Sequence, residues 1–254
     1  MTDRALPDLS GTVTLVTGAG GTVGRGIALR FAQAGGAVVV HTRTTPADPV
    51  VAAIRSLGGA AMAVTADLTD EAACDHVIGA AAAWHGRLDA VVNNAGIQPV
   101  QPLADLTAND WRTMLEVNLT SAFLCTQAAA TVMREHGGSI THIASIEAGH
   151  PAPGHAHYSA AKAGLIMHAR AAALEYGRDD IRVNTVSPGL IDRPGLAADW
   201  PGGVRRWHAA APLRRLGTPA DVGNACVFLA SPMAAWITGH DLVVDGGVTT
   251  HPTW

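Results

Sequence analysis

Thr12-Val-Thr-Leu-Val-Thr-Gly-Ala-Gly-Gly-Thr-Val-Gly24 decides the fold. Its first half is rich in β-branched residues and predicts a buried strand over residues 12–17. Its second half is a glycine-rich turn, and a helix is expected over residues 23–34. Val23, Ile27 and Phe31 lie four apart on one face of that helix, and Gly35-Gly36 ends it. Strand, turn and helix in this order make the unit that cradles a pyrophosphate. Glycine lets the backbone turn tightly and approach phosphate, while the helix N-terminus offers unpaired N–H groups and the positive end of its dipole. Gly18, Gly21, Thr22, Val23 and Gly24 are therefore candidate cofactor-binding residues. A tight turn that binds nothing would use the same glycines, so the rest of the chain must decide.

Working outward, further strands are expected at residues 38–40, 61–66, 88–92, 139–144, 181–186 and 241–245. Helices are expected near residues 71–84, 110–134, 159–176 and 220–230, the last opened by Pro219. Repeated βα units predict an α/β fold, a doubly wound parallel sheet with helices on both faces. No linker or repeat interrupts it, so residues 1–254 read as one domain. The one long irregular stretch, residues 189–218, carries Trp200 and Trp207 among several Gly and Pro residues. It is expected to be a lid over approximately residues 190–218, closing on something apolar.

Composition excludes several classes. With 48% hydrophobic and 15% charged residues the chain reads as soluble and globular, and no apolar run reaches the ~20 residues of a membrane helix. A net charge of −4 without a basic block argues against nucleic acid as partner. The N-terminus lacks a signal peptide's apolar core, and Cys74, Cys125 and Cys226 are odd in number and far apart. A cytoplasmic, disulfide-free protein is the expectation. His150, His155 and His157 cluster before Tyr158, but their spacing is unlike a zinc site, so no metal is expected.

The chemistry concentrates between Ser145 and Lys162. Lys162 is the only lysine, set among sixteen arginines, and it follows Tyr158 by four residues. On a helix that spacing puts both side chains on one face, where an ammonium favours the phenolate and is expected to lower the tyrosine pKa. A tyrosine tuned this way suits general acid–base work, and Ser145, thirteen residues upstream of it, supplies a hydroxyl to the same point. A plain surface pair is the bland reading. The compact, tunable amine in a chain otherwise committed to guanidinium weighs against it.

Taken together, Thr17-Gly18 with Gly24, Asn93-Asn-Ala-Gly96, Asn118, Ser145, Tyr158-x-x-x-Lys162 and Ser187-Pro-Gly189 resemble, in order, the short-chain dehydrogenase/reductase family over almost the whole chain. Two positions depart from its pattern: Thr22 stands where the turn's middle glycine is usual, and Arg193 where threonine is common. The resemblance implies an NAD(P)(H)-dependent oxidoreductase interconverting a ketone and a secondary alcohol. Tyr158 is then the acid/base, Ser145 orients the oxygen, Lys162 holds the nicotinamide ribose, and Asn118 bends its helix and holds a water linked to the lysine. It further implies cofactor contacts from Asp67 and Leu68 at the adenine, Asn94, Ala95 and Gly96 after the fourth strand, and Pro188, Gly189 and Ile191 near the nicotinamide. Asp245-Gly-Gly247 fits as well. The alternatives are a 3-oxoacyl-carrier-protein reductase, with Arg205-Arg206 as a basic rim, and a catalytically silent nucleotide-binding regulator.

The second strand ends at Thr42-Arg43, where NAD-specific sites carry a carboxylate for the ribose hydroxyl. An uncharged Thr42 followed by the guanidinium of Arg43 predicts that NADP(H) is favoured over NAD(H). Gln98, Glu147 and His155 are expected beside the reacting carbon, favouring a small hydroxylated or otherwise polar substrate. Alanine-rich helices, together with the resemblance, predict a homo-oligomer, a dimer or tetramer.

Overall fold

The computed structural model describes residues 6–250. Seven parallel strands form one sheet in the order β3-β2-β1-β4-β5-β6-β7. They are β1 (Val13–Val16), β2 (Ala37–Thr42), β3 (Ala61–Thr65), β4 (Ala90–Asn93), β5 (Gly138–Ile143), β6 (Ile181–Pro188) and β7 (Asp241–Val244). Every expected strand is present, shifted by a few residues at most.

Alternation along the strands divides the core in two. Val16, Val38, Val40 and Val92 pack under α1 (Thr22–Gln33), α2 (Asp48–Ser56) and α9 (Pro219–Ala230). Leu15, Val39, Val91 and Ile140 pack under α3 (Glu71–His85), α5 (Ser121–Met133) and α6 (Ala156–Tyr176) on the other face. Both faces are covered, which is why the strands read as continuous apolar runs. The sheet order reverses beside β1, between β1 and β4, and the crevice outside their carboxyl ends is where such sheets take ligands.

Three helical expectations change. Residues 110–134 are two helices rather than one, α4 (Ala108–Leu115) and α5, joined by a π-helical turn over Glu116–Thr120 that holds Asn118. The short α2, with Pro49 in its first turn, was not expected. Residues 189–218 are not irregular throughout, for α7 (Leu196–Asp199) and α8 (Pro201–Ala210) occupy much of them. Gly203 sits in α8 because a Cβ there would collide with the Trp200 ring. Ile191 bridges Gly217 as a parallel pair, and this bridge closes the base of the segment.

Candidate active site

The glycine turn leaves β1 with Gly18 at φ +63°, a left-handed conformation that suits glycine. A Cβ on Gly24 would strike the Gly18 carbonyl and the Asn94 amide, so the first turn of α1 packs directly on the loop that precedes it. No side chain caps α1, and its first turn carries no acidic residue. Thr22, the departure from the family pattern, is exposed at the first position of the helix, and Val23 follows it half-buried. The free N–H groups and the dipole therefore face an open anion site, which the phosphates of a dinucleotide fit.

Side chains lock this turn to β4. Thr17 Oγ1 accepts from the backbone N–H groups of Asn94 and Ala95 at 2.9 and 3.0 Å. Asn94 Nδ2 donates to the carbonyls of Thr17 and Gly18 at 2.9 and 3.2 Å. His41, missed as a site residue from the sequence, is 2% exposed on β2. Its Nδ1 accepts from Gly18 N at 3.2 Å, and its Nε2 lies 3.2 Å from the Ala66 carbonyl. These two bonds fix a neutral tautomer, and burial keeps the imidazole pKa below its ordinary value. The only sequence signal was a polar residue ending an otherwise apolar strand.

At the same edge Thr42 is buried, while Arg43 and Asp67, each with half its side chain exposed, approach to 3.7 Å. Asp67 Oδ1 accepts from Thr69 N and Oγ1 at 3.1 and 2.8 Å, and chiefly these bonds hold its pKa low. Leu68 turns its side chain into the core beneath α3.

The catalytic candidates converge at the carboxyl end of β5. Ser145 is 8% exposed there, and Tyr158 and Lys162 come from consecutive turns of α6. Burial pushes the Tyr158 phenol up to about 12, outweighing the neighbouring Ser145 hydroxyl, which favours the phenolate. The nearby Glu147 carboxylate adds to the rise. This corrects the expectation of a lowered pKa. Lys162 Nζ lies 5.5 Å from the Tyr158 ring centroid and donates to the Ile143 carbonyl at 2.7 Å. Burial lowers Lys162 to about 8.

Asn118 is 1% exposed, and its Oδ1 accepts from Ile97 N at 3.2 Å. Its Nδ2 donates to the Met114 carbonyl at 3.2 Å. The π-turn carries Asn118 where its side chain reaches the loop after β4, a contact the sequence did not predict. Gly96 lies against both groups: a Cβ on it would stand 2.5 Å from Asn118 Oδ1 and 3.7 Å from Lys162 Nζ.

Gln98, Glu147 and His155 are brought together. Gln98 Nε2 donates to Glu147 Oε1 at 3.0 Å, and His155 Nδ1 lies 2.7 Å from Glu147 Oε2. The His155 ring stands edge-on to Tyr158, with centroids 6.1 Å apart.

Pro188 ends β6, and Gly189 N donates to the Val244 carbonyl at 3.0 Å. A Cβ on Gly189 would lie 2.6 Å from the Trp207 ring, so α8 packs directly on this segment, with Ile191 two residues further on. Arg193, the other departure from the family pattern, pairs with Asp199 at 2.8 Å within the same segment. Asp245 Oδ1 accepts from Gly247 N and Oδ2 from Thr249 N, both at 2.8 Å, which folds the turn behind it. Among the described residues, no cluster of three His, Cys, Asp or Glu side chains is placed to hold a metal ion.

A glycine turn with free N–H groups thus lies at the same sheet end as a buried serine and lysine and a half-buried tyrosine. That arrangement suits a dinucleotide, with a candidate acid/base beside it.

Comparison with known proteins agrees. The family described as "Enoyl-(Acyl carrier protein) reductase" matches residues 18–249. Cis-4-hydroxycyclohexanecarboxylate dehydrogenase of Sinomonas cyclohexanicum is 41% identical over 240 residues, 93% of this chain and 96% of the relative. The 2,5-dichloro-2,5-cyclohexadiene-1,4-diol dehydrogenase of Sphingobium indicum is 38% identical over 241 residues, 94% and 96% of the two chains. Among solved structures, 7α-hydroxysteroid dehydrogenase complexed with NADH and 7-oxo glycochenodeoxycholic acid superposes with a TM-score of 0.90 at 35% identity, covering 97% of this chain and 98% of that one. The chain belongs to the short-chain dehydrogenase/reductase family and is an oxidoreductase of CH–OH groups that uses a nicotinamide dinucleotide.

Proposed function

We propose that this enzyme interconverts a secondary alcohol and its ketone with a preference for NADP(H), using Tyr158 as acid/base. The observation that carries the reading is that Ser145 neighbours Tyr158, Tyr158 neighbours Lys162, and Lys162 and Asn118 meet at Gly96. A nicotinamide dinucleotide bound along the crevice supplies or takes up the hydride. Ser145 holds the substrate oxygen, Tyr158 gives or takes its proton, Lys162 holds the ribose hydroxyls, and Asn118 supports the lysine through water. The segment 190–218 acts as a lid, with Trp207 against Gly189 as its inner contact.

The cofactor preference rests on the end of β2. Thr42 presents no carboxylate to a 2′-phosphate, and Arg43 is half exposed beside it. Its pairing with Asp67 at 3.7 Å is a surface contact of the kind worth about 0–1 kcal/mol, which a phosphate readily displaces. The test compares kcat/KM for both nicotinamides in wild type and Arg43→Ala. Wild type should favour NADP(H) and the variant should lose much of that ratio. A wild type that favours NAD(H), or an unmoved ratio, defeats the assignment.

Assembly with copies of itself follows from the outer face of α6. Ala163, Met167, Ala171 and Leu174 recur there at helical spacing, all exposed, and Phe123 of α5 is exposed on the same side. Other alanines of α6 (Ala161, Ala169, Ala172 and Ala173) are spent on the core instead. A second copy laid on this stripe makes a homo-oligomer, and a monomeric mass in light scattering at micromolar concentration would remove it. The buried, unpaired cysteines fit a reducing, cytoplasmic setting.

The second reading, reduction of a 3-oxoacyl group on an acidic carrier protein, has Arg205 and Arg206 exposed on α8 in its favour. Turnover of a carrier-bound thioester far faster than of free alcohols would select it.

A further inference from the structure

Tyr158 has Lys162 one helical turn after it and His155 one turn before it. The His155 side belongs to a hydrogen-bonded chain drawn from three separate segments. These are Gln98 after β4, Glu147 in the single 3-10 turn after β5, and His155 at the start of α6. The backbone N–H of Glu147 donates to Ser145 Oγ at 3.1 Å, so the chain is tied to the residue that meets the substrate oxygen. A purely structural clamp would account for the contacts. It does not account for the choice of a carboxylate, only 17% exposed, whose charge drives Tyr158 away from its phenolate.

What this flank offers is hydrogen-bond acceptors. An ionised carboxylate has about four lone-pair sites, and Gln98 and His155 fill two of them. On the other side of the ring, His155 Nε2 is buried with no partner among the described residues, a polar atom left for a substrate hydroxyl to meet. Gln98 adds its own amide oxygen. Acceptors gathered beside a negative charge attract hydroxyl donors and repel a substrate carboxylate.

We propose that Gln98, Glu147 and His155 form a subsite for a hydroxyl on the carbon next to the reacting one, so that the substrate is a neutral vicinal diol oxidised to an α-hydroxyketone. The inference rests on the alcohol–ketone reading above. In the step, the C–H bond of the reacting carbon breaks and its hydride passes to the oxidised nicotinamide. The O–H proton of that carbon passes to the Tyr158 phenolate, leaving the neutral phenol, as its C=O forms, and the neighbouring hydroxyl stays intact as a donor to Glu147.

The experiment measures kcat and KM for trans-1,2-cyclohexanediol, cyclohexanol and 2-hydroxycyclohexanecarboxylate, with both nicotinamides, in wild type, Glu147→Gln and Gln98→Leu. A hydrogen bond to a charged group corresponds to roughly a 10- to 100-fold advantage in kcat/KM for the diol over cyclohexanol. The carboxylate compound should be the poorest of the three. Glu147→Gln keeps the shape, removes the charge, and should bring the diol-to-cyclohexanol ratio down mainly through the KM for the diol, while improving relative use of the carboxylate. Gln98→Leu, in an exposed loop that tolerates change, should move the ratio the same way. A wild type that uses cyclohexanol or the carboxylate as well as the diol overturns the subsite, as does a ratio unmoved in both variants. Turnover of other ketones with none of these alcohols also sinks the subsite while leaving an oxidoreductase. Turnover of no alcohol or ketone at all sinks both.

Discussion

Replacing Gly96 with alanine adds one methyl group at the point where the site is most tightly assembled. Its Cβ would stand 2.5 Å from Asn118 Oδ1, closer than such atoms approach, so something must shift. Asn118 has little freedom to do so. It is 1% exposed, held to Ile97 N through Oδ1 and to the Met114 carbonyl through Nδ2. Moving it strands the Ile97 N–H, and a buried donor left unpaired costs about 1–3 kcal/mol. Overpacking adds about 1–3 kcal/mol. A loss of about 2–6 kcal/mol is expected, with reduced turnover because the shift falls on Asn118, which meets Lys162 at Gly96. The control is Gly79→Ala, in the middle of α3, where an added Cβ meets nothing within 4 Å. There alanine should stabilise by about 0.5–1 kcal/mol, through helix propensity alone. Urea unfolding followed by circular dichroism compares the three proteins, with the slope m checked for constancy. A Gly96→Ala protein as stable and active as wild type would refute the close approach of Gly96, Asn118 and Lys162.

Tyr158→Phe removes one hydroxyl, so turnover should fall by about 10²- to 10⁴-fold while cofactor binding, read by tryptophan fluorescence, stays near wild type. Retention of most activity would end the acid/base assignment. With the phenol at about 12, kcat/KM for alcohol oxidation should climb with pH through the alkaline range, since oxidation needs the phenolate, whereas ketone reduction should not. An oxidation profile already level below about pH 7 would show a different base at work. Asp221 is lowered from 3.8 to about 2, chiefly by its hydrogen bonds from Arg215. A depressed folded pKa adds stability that is complete above about pH 4 and lost as pH falls toward 2. The thermal midpoints of wild type and Arg215→Met should therefore converge over that interval, and a constant gap would contradict the pairing.

The strands were legible because a parallel sheet buried on both faces forces runs such as Val38-Val39-Val40, and little else in a chain looks like them. The helices within residues 189–218 were not, because Pro201-Gly202-Gly203 carries the signature of a loop. Each glycine disfavours helix by about 1 kcal/mol, and only the contact between Gly203 and the Trp200 ring shows why it is there. Likewise Thr44-Thr-Pro-Ala-Asp48 reads as a turn, which hides the short α2 that follows it. A π-turn leaves no periodic mark, so the break between α4 and α5 was invisible, although Asn118 itself was found through the family pattern. Gln98, Glu147 and His155 were placed together by their positions flanking Ser145 and Tyr158. Their mutual bonds needed three dimensions, and so did the grip of His41 on Gly18.

The sign of the Tyr158 shift is where reasoning from charge alone failed, and it bears on how the site works. Four-residue spacing set Lys162 beside Tyr158, but the ammonium gives its hydrogen bond to the Ile143 carbonyl and lies 5.5 Å from the ring centroid. Burial then dominates both groups and moves each toward its neutral form, the phenol up to about 12 and the amine down to about 8. The free site is consequently set as an acid, able to give a proton to a carbonyl oxygen held by Ser145. Running the other way requires the phenolate, which the Ser145 hydroxyl favours too weakly to overcome burial, so a charged group brought nearer the hydroxyl would have to add to it. Lys162, buried with its Nζ 5.5 Å from the ring centroid, is the cation placed to do so. The missing methyl group at Gly96 lets Asn118 reach Ile97 and so ties the loop after β4 to the helix segment beside that lysine.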